Sequence, residues 1–193
     1  MSRLAIALLV GLGVLLTALM VAGVGVLVWA TSRPGSTFAG GGGQVATSKN
    51  GDSQVRLPAH WSQLQGLNEQ ATIQAGNKQR EEYLIVITEP KDNFAGDLTY
   101  RDYSRITRER MIKNLDDAKV VGEPTELLIN GRRAVRFEIH GVLKKNRLKI
   151  VYLHTTVDGE KSFHQVLAWT MPSRLADARA ILEEATGTFT ELP

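Results

Sequence analysis

The order of apolar and polar positions divides the chain into a long apolar start and a mixed remainder. Residues 4 to 30 run for 27 positions without a charged side chain. As a helix this segment would span roughly 40 Å, and the hydrocarbon core of a bilayer is about 30 Å thick. The pattern therefore predicts one transmembrane helix, with Trp29 at the membrane interface. A cleaved signal peptide is the alternative, although the segment is about twice as long as the apolar region of such a peptide.

The charges on either side of this segment indicate its orientation. Arg3 and the amino terminus precede it, whereas Arg33 and the more distant Lys49 follow it. A short positive head is typical of a signal anchor whose first residues stay in the cytoplasm. We therefore expect a single-pass protein of the bacterial inner membrane with its domain in the periplasm. Because the chain has no cysteine, lipid attachment to a cysteine is excluded and no disulfide stabilises the domain.

The segment after the predicted anchor has the composition of a linker. Residues 31 to 53 are rich in Gly, Ser, Thr and Asn, with four consecutive glycines at residues 40 to 43. This composition predicts a flexible linker with a mean reach of roughly 25 Å. A phosphate-binding loop is not predicted, because no Gly-Lys-Ser or Gly-Lys-Thr follows the glycines. Residues 54 to 191 should then form one domain of a size that can bury its own core.

Alternating apolar positions predict a domain rich in β-strands. Asn130-Gly131 and Asp158-Gly159 are strong signals for tight hairpin turns. The strands around these turns should therefore pair in chain order as an antiparallel meander. We expect short strands at 54–57, 71–75, 83–88, 119–122 and 126–129, and longer strands at 132–142, 147–157 and 161–170.

Apolar residues at helical spacing predict two helices. Thr99, with Asp102 three residues later, should begin a helix that ends near residue 115. Ser173 should cap a second helix over 174–186, with Gly187 as its stop. The expected buried stripes are Tyr103, Ile106, Met111, Ile112 and Leu115 in the first helix, and Leu175, Ala178, Ile181, Leu182 and Ala185 in the second.

The histidines are the first candidates for a metal site or for acid-base chemistry. If residues 144 and 145 form the turn between the two longest strands, His154 shares one face of the sheet with Phe137, while His140 and His164 lie on the other. In that register the opposing pairs are His140 with Lys149, His154 with Phe163, and His164 with Leu153. No three ligands converge, so we predict no metal site. No motif predicts a cofactor either.

The face that carries His140 also carries Arg136, Glu138 and Lys149. Glu138 held among cations could act as a general base, but a network of cross-strand charge pairs would account for the same residues. The chain has no cysteine nucleophile and no Gly-x-Ser-x-Gly turn. We therefore predict no catalytic residue and regard an enzyme as unsupported. The alternative function is a hydrolase or a small-ligand binder that uses the sheet face around Glu138.

The charge balance does not favour a strongly basic domain. Residues 1 to 48 contain two of the 23 Lys and Arg residues and none of the 20 Asp and Glu residues, which leaves 21 against 20, or +1, for the remainder. A domain with this balance is not expected to bind nucleic acid as a whole. A partner that binds through charge must therefore contact a local group of charged residues on the domain.

Two local groups of basic residues are the candidate interaction sites. At the turn between the two longest strands lies the hairpin set, Lys144, Lys145, Arg147 and Lys149. On the outer face of the first helix lies the helix set, Arg101, Arg105 and Arg108. Such groups are usually solvated surface, but on a tethered domain they could contact anionic lipid headgroups or an acidic protein. Nucleic acid is not expected at the hairpin set, which lacks interleaved aromatic residues.

The predicted order of elements resembles the PsbP/DcrB-type domain, which Mog-type Ran-binding proteins share. Val55 departs from this family, whose first strand usually carries an aromatic residue. The resemblance covers about residues 54 to 191 and depends on Val55-Arg56-Leu57-Pro58 followed by Trp61, the strand at 82–88, the helix from Thr99, the hairpin Ile129-Asn130-Gly131-Arg132-Arg133-Ala134, Asp158-Gly159, and a final helix closing on Phe189.

The resemblance implies the α+β class, with an α/β/α sandwich in which a central antiparallel sheet lies between two main helices. It also implies an extracytoplasmic accessory or interaction module rather than an enzyme. Neither the manganese-cluster support of plant PsbP nor the Ran contacts of Mog-type proteins are carried over, because no motif here matches them. The sequence therefore predicts a non-catalytic, membrane-anchored domain that binds a protein of the cell envelope.

Overall fold

The computed structural model describes residues 43–94 and 96–193. The predicted anchor at residues 4 to 30 and most of the predicted linker lie outside these ranges. Within them, neither helix combines the length and the apolar character needed to cross a bilayer. The described residues form a sheet-rich domain with two helices, which confirms the predicted mixed class.

The described strands build two antiparallel sheets. A seven-stranded sheet has the order β3-β4-β5-β9-β8-β7-β6, and a small sheet has the order β1-β2-β10. The strands are β1 (Val45–Thr47), β2 (Ser53–Arg56), β3 (Ser62–Gln63), β4 (Ile73–Asn77), β5 (Glu82–Pro90), β6 (Leu115–Ile129), β7 (Arg132–Leu143), β8 (Lys149–Asp158), β9 (Ser162–Thr170) and β10 (Thr190–Glu191).

The predicted meander is confirmed, since β6, β7, β8 and β9 are consecutive neighbours in the large sheet. Asn130 and Gly131 form its first turn with φ values of 47° and 81°, the left-handed values that this turn type requires. The two short strands predicted at 119–122 and 126–129 are instead parts of β6. Its register against β7 shifts between Val121 and Thr125, so the interruption is a bulge and not a strand end.

The predicted register across the other two hairpins is wrong by an even number of residues. His140 lies opposite Val151, His154 opposite Leu167, and His164 opposite Val157. At the β7–β8 hairpin the cause is a wider loop at residues 144 to 148, where Leu143 donates its N–H to the carbonyl of Leu148. At the β8–β9 hairpin the connection is also longer than predicted, since Asp158 lies opposite Phe163. An even shift leaves every side chain on its predicted face.

Both predicted helices are present with small differences at their ends. Helix α1 (Tyr100–Lys113) begins after Thr99, whose side chain accepts a hydrogen bond from the backbone N–H of Asp102, as predicted. Helix α2 (Leu175–Gly187) follows a 3-10 turn at Pro172–Arg174, so Ser173 is not its N-cap. Gly187 is the last helical residue and not a left-handed stop.

The two helices cover opposite faces of the large sheet. Tyr103 and Met111 of α1 pack in a cluster with Tyr152, whereas Ala178 and Leu182 of α2 pack in a second cluster with Leu153. Neighbouring residues of a strand point to opposite faces, which is why β8 contributes to both clusters. The sheet therefore lies between two helical layers, and each large apolar side chain that it buries contributes about 1.5–3 kcal/mol.

The folded domain begins earlier than the predicted boundary at residue 54. Strand β1 lies within the predicted linker and pairs with β2, with Ala46 opposite Val55. Ala46 is only 1% exposed and belongs to the cluster on the α2 side. Alternation over three residues is too short a pattern to predict a strand inside a glycine-rich segment.

Candidate functional site

Basic side chains gather at one end of the large sheet. Tyr83, Trp169 and Tyr152 form a row across β5, β9 and β8, just inside this end. Beyond the row, the loop 144–148 joins β7 to β8 and the turn 78–81 joins β4 to β5. About three strand spacings, or roughly 15 Å, separate the two connections. We call these two connections, together with the segment 57–60, the basic end.

The described chain also begins at the basic end. Leu57 donates its N–H to the carbonyl of Gln44 at 2.7 Å, which holds the first described residues against this segment. The following turn, closed by a hydrogen bond from Trp61 N to the Pro58 carbonyl at 3.1 Å, carries His60. Any segment that precedes residue 43 therefore joins the domain at its basic end.

The hairpin set lies together on the loop 144–148 and the start of β8, with all four residues exposed. Arg147 forms an ion pair with Asp116. Lys144 donates from Nζ to the carbonyl of Lys113 at 2.7 Å, where it meets the carboxyl end of α1. Leu148 adds an apolar side chain that is 40% exposed. The loop thus combines positive charge with an exposed apolar residue, a combination suited to contact with another molecule.

The helix set is not part of this surface, and neighbouring groups on α1, β6 and β7 contact its guanidinium groups. Arg101 Nε lies 2.8 Å from Glu126 Oε1, and this hydrogen bond lowers the pKa of Glu126. Arg105 lies near Asp102 and Glu109 on its own helix. The guanidinium carbon of Arg108 lies 4.3 Å from the centre of the Phe137 ring. These contacts favour a structural role for the helix set.

Glu138 is held by two hydrogen bonds on the α2 side of β7. His140 Nε2 lies 2.6 Å from Glu138 Oε1, and Arg179 of α2 donates to Glu138 Oε2 at 2.6 Å. Burial alone would raise the pKa of this carboxyl, but the bonds from His140 and Arg179 together lower it below its ordinary value. Arg179 and Arg136 also lie 3.6 Å from Glu183, so the charges form one network.

This geometry does not suit a general base. An efficient base at neutral pH needs a raised pKa and an oxygen that faces the substrate. Both oxygens of Glu138 are occupied, its pKa is lowered, and its side chain is only 16% exposed. The arrangement therefore favours the charge-network interpretation of Glu138 over the hydrolase.

Two histidines are buried and hydrogen-bonded inside the fold. His154 is fully buried with Nε2 3.2 Å from Thr107 Oγ1, and burial lowers its pKa to about 4. His164 is 1% exposed, with Nδ1 3.0 Å from Thr88 Oγ1 and Nε2 3.3 Å from Glu191 Oε1. Across residues 43–94 and 96–193, no group of three or more His, Cys, Asp or Glu residues is placed to bind a metal ion.

Thr88, His164 and Glu191 follow the order of a hydroxyl, imidazole and carboxylate triad. The backbone of the β8–β9 connection closes over them, however. A Cβ atom on Gly159 would lie 2.7 Å from His164 Nε2 and 2.5 Å from Glu191 Oε1. Burial also lowers the pKa of His164. Because substrate has no room to reach the imidazole, this arrangement ties β10 to the hairpin and is not a catalytic site.

A depression of about 700 Å³ at the basic end was not predicted from the sequence. It lies beside the hairpin of β4 and β5, and neither Glu138 nor His140 borders it. The residues that line it are His60, Ser62, Leu64, Gly76, Asn77, Lys78, Gln79 and Arg80. The available signal was Lys78 and Arg80 between two predicted strands, but nothing in the sequence placed His60 beside them.

Two solved structures share this fold at low sequence identity. Cyanobacterial PsbP from Synechocystis sp. PCC 6803 is 14% identical, with a TM-score of 0.56 over 84% of this chain and 98% of its own. LpqN of Mycobacterium tuberculosis, described as involved in cell envelope biogenesis, is 14% identical, with a TM-score of 0.57 over 73% of this chain and 83% of its own. No family model and no curated protein matches the sequence. The PsbP-like fold is therefore shown, and it does not by itself define a function.

Proposed function

We propose that this chain is a membrane-anchored, non-catalytic accessory domain of the bacterial cell envelope, which binds an envelope protein through the hairpin set. The observation that carries the proposal is the position of this basic loop at the end of the domain where the described chain begins. The fold that it shares with LpqN, a protein described as involved in cell envelope biogenesis, supports the location.

The predicted anchor would orient the basic end of the domain toward the membrane. If residues 31 to 42 behave as their composition predicts, about twelve residues give a mean reach of roughly 20 Å. The domain is then held close to the membrane with its basic end toward the bilayer. A partner at this place would be a protein of the same membrane that presents an acidic surface.

The hairpin set suits such a partner for two reasons. Lys149, the first residue of β8, directly follows the exposed Leu148, so charge and apolar area are offered together. Charge complementarity accelerates the encounter, and a buried apolar side chain at the centre of a contact supplies affinity. The helix set offers neither, since carboxylates or an aromatic ring already contact its guanidinium groups.

Orientation is tested by fusing to Pro193 a reporter that is active only outside the cytoplasm. We expect activity from the fusion, together with retention in the membrane fraction after a carbonate wash. Activity of a cytoplasmic reporter at the same position would contradict the orientation. Release by carbonate would instead favour the cleaved signal peptide.

The binding surface is tested by photo-crosslinking in intact cells. A photoreactive residue at Leu148 should form an adduct with a membrane protein, and the same residue at exposed Glu160, at the opposite end of the sheet, should not. The hairpin variant, K144Q/K145Q/R147Q, should reduce the yield of the Leu148 adduct. The matched helix variant, R101Q/R105Q/R108Q, removes the same charge from α1 and should leave the yield unchanged. If the helix variant lowered the yield of the Leu148 adduct and the hairpin variant did not, the assignment of the hairpin set as the binding surface would be wrong.

A further inference from the structure

The depression beside the β4–β5 hairpin is lined mainly by residues with polar side chains, although the aliphatic parts of these side chains also face it. Leu64 is the one large apolar residue among the residues that line it, all of which belong to the described part of the chain. A lining of this kind does not suit an acyl chain or an aromatic ligand, which need apolar walls. It suits a ligand with several hydrogen-bond acceptors.

The charged groups of the lining are all basic. Lys78 and Arg80 supply two permanent cations and His60 supplies an imidazole, while no Asp or Glu of the described chain lines the depression. Within the described ranges, the side chains of Lys78 and Arg80 form no ion pair or hydrogen bond. These donors are therefore available to an anion.

The two carboxylates that follow Arg80 in the chain are directed elsewhere. Glu81 Oε2 lies 3.7 Å from Arg174 Nε, at the turn that precedes α2. Glu82 is buried and accepts a hydrogen bond from Trp61 Nε1 at 2.9 Å. The positive charge of the depression is thus not neutralised by its own neighbours.

The turn that carries the cations has a defined shape. Asn77 Oδ1 accepts hydrogen bonds from the N–H groups of Gln79 and Arg80 at 3.0 and 3.2 Å. Gly76 lets the two strands approach closely, because a Cβ atom at this position would lie 2.3 Å from the carbonyl oxygen of Glu82. A turn fixed in this way loses less conformational entropy when its side chains close on a ligand.

We infer that this depression binds the phosphate group of an anionic lipid headgroup. A guanidinium and an ammonium group match phosphate in charge and in hydrogen-bond geometry. The depression lies at the basic end, where the described chain begins, so the predicted anchor would hold it against the headgroups. The choice of a lipid over free phosphate rests on the membrane anchoring in the proposed function. The lipid contact would fix the height and tilt of the domain above the bilayer.

The test uses the full chain in nonionic detergent and isothermal titration with three probes. The probes are short-chain phosphatidylglycerol, short-chain phosphatidylcholine as the zwitterionic comparison, and inorganic phosphate as the free anion. We expect phosphatidylglycerol to bind at least about tenfold more tightly than phosphatidylcholine, because choline offsets the phosphate charge. The variant K78Q/R80Q should weaken phosphatidylglycerol binding at least about tenfold, since it removes both charge-assisted contacts.

Two further variants separate this site from general charge attraction. K144Q/K145Q removes the same charge from the neighbouring loop and should change the affinity less than about threefold. K78R/R80K keeps the charge and should retain binding. Equal losses in K78Q/R80Q and K144Q/K145Q, unchanged binding in K78Q/R80Q, or loss in K78R/R80K would each overturn the proposal. If inorganic phosphate bound and phosphatidylglycerol did not, the ligand would be free phosphate and the assignment to a lipid headgroup would be wrong.

The outcome is independent of the reporter fusion and of the crosslinking experiment. Titration in detergent needs neither a partner protein nor a particular orientation in the membrane. A failed titration would therefore remove the headgroup site and leave the proposed accessory role to be judged by its own tests.

Discussion

The burial of His154 predicts a specific loss of stability between pH 7 and pH 5. The imidazole is fully buried beneath α1, and burial lowers its pKa from 6.5 to about 4. In the unfolded chain the same imidazole is exposed and takes up a proton near its ordinary pKa. The unfolded state therefore binds more protons than the folded state in this range, and stability falls as the pH is lowered.

The size of the effect follows from the difference in pKa. A difference of about 2.5 units corresponds to roughly 3 kcal/mol once both states are fully titrated, at 1.36 kcal/mol per unit. About 2 kcal/mol of this is lost between pH 7 and pH 5. The lowered pKa values of Glu138 and Glu191 act mainly below their ordinary value of 4.5, so a range that ends at pH 5 largely excludes them.

Urea unfolding of the fragment 43–193 at several pH values measures this loss. His164 contributes with the same sign, since burial lowers its pKa too, so the wild-type loss contains both histidines. His154→Gln should remove about 2 kcal/mol of the loss between pH 7 and pH 5, whatever its stability at pH 7. His140→Gln, on the partly exposed face, is the matched control and should keep the loss. If wild type and His154→Gln lost the same free energy, the buried imidazole would not be the titrating group.

Four further predictions concern packing and surface charge. Phe137→Ala should lower the free energy of unfolding by about 3–5 kcal/mol, and a loss below about 1 kcal/mol would contradict its place in the core. A fragment that starts at Asp52 lacks β1 and should melt at a lower temperature than one that starts at Gly43; equal melting temperatures would contradict the role of β1. Trp61→Phe should lower the free energy of unfolding in urea by about 1–3 kcal/mol, because the buried carboxylate of Glu82 loses its hydrogen-bond donor. An unchanged free energy of unfolding would show that another group donates to Glu82. The hairpin variant should change stability by less than about 0.5 kcal/mol yet reduce crosslinking of the partner at Leu148, and the wild-type yield in isolated membranes should fall as salt rises; a yield that does not depend on salt would refute the electrostatic account.

Periodicity and turn chemistry predicted the meander and both helices because these signals are local. Asn130-Gly131 demands left-handed φ at both positions, so the turn and the pairing around it could be read directly from the sequence. Thr99 and Asp102 likewise form the predicted cap. The number of residues in a loop could not be predicted from such local signals. The lysines at 144 and 145 gave no signal that the loop continues to residue 148, and Asp158-Gly159 gave none that its connection continues until Phe163 lies opposite Asp158, so the register of both hairpins was wrong by an even shift.

The candidate sites depended on contacts between distant segments, which the sequence pattern does not contain. Arg179 is 41 positions from Glu138 in the chain, yet its hydrogen bond decides whether Glu138 can act as a base. His60 and Arg80 line the same depression because β3 pairs with β4. The hairpin set needed no such contact, since its members are neighbours in sequence. Charge clusters within one turn can thus be predicted, and sites built from several turns cannot.

The fold separates the groups that stabilise the domain from the groups assigned here to binding. The two apolar clusters lie on the faces of the sheet, and the polar groups of Glu138, His164 and the helix set have partners within the domain. The binding groups lie on turns at one end, where substitutions rarely change stability by more than about 0.5 kcal/mol. The proposed partner contact through the hairpin set and the proposed headgroup contact through Lys78 and Arg80 should therefore be removable one at a time in a domain that stays folded.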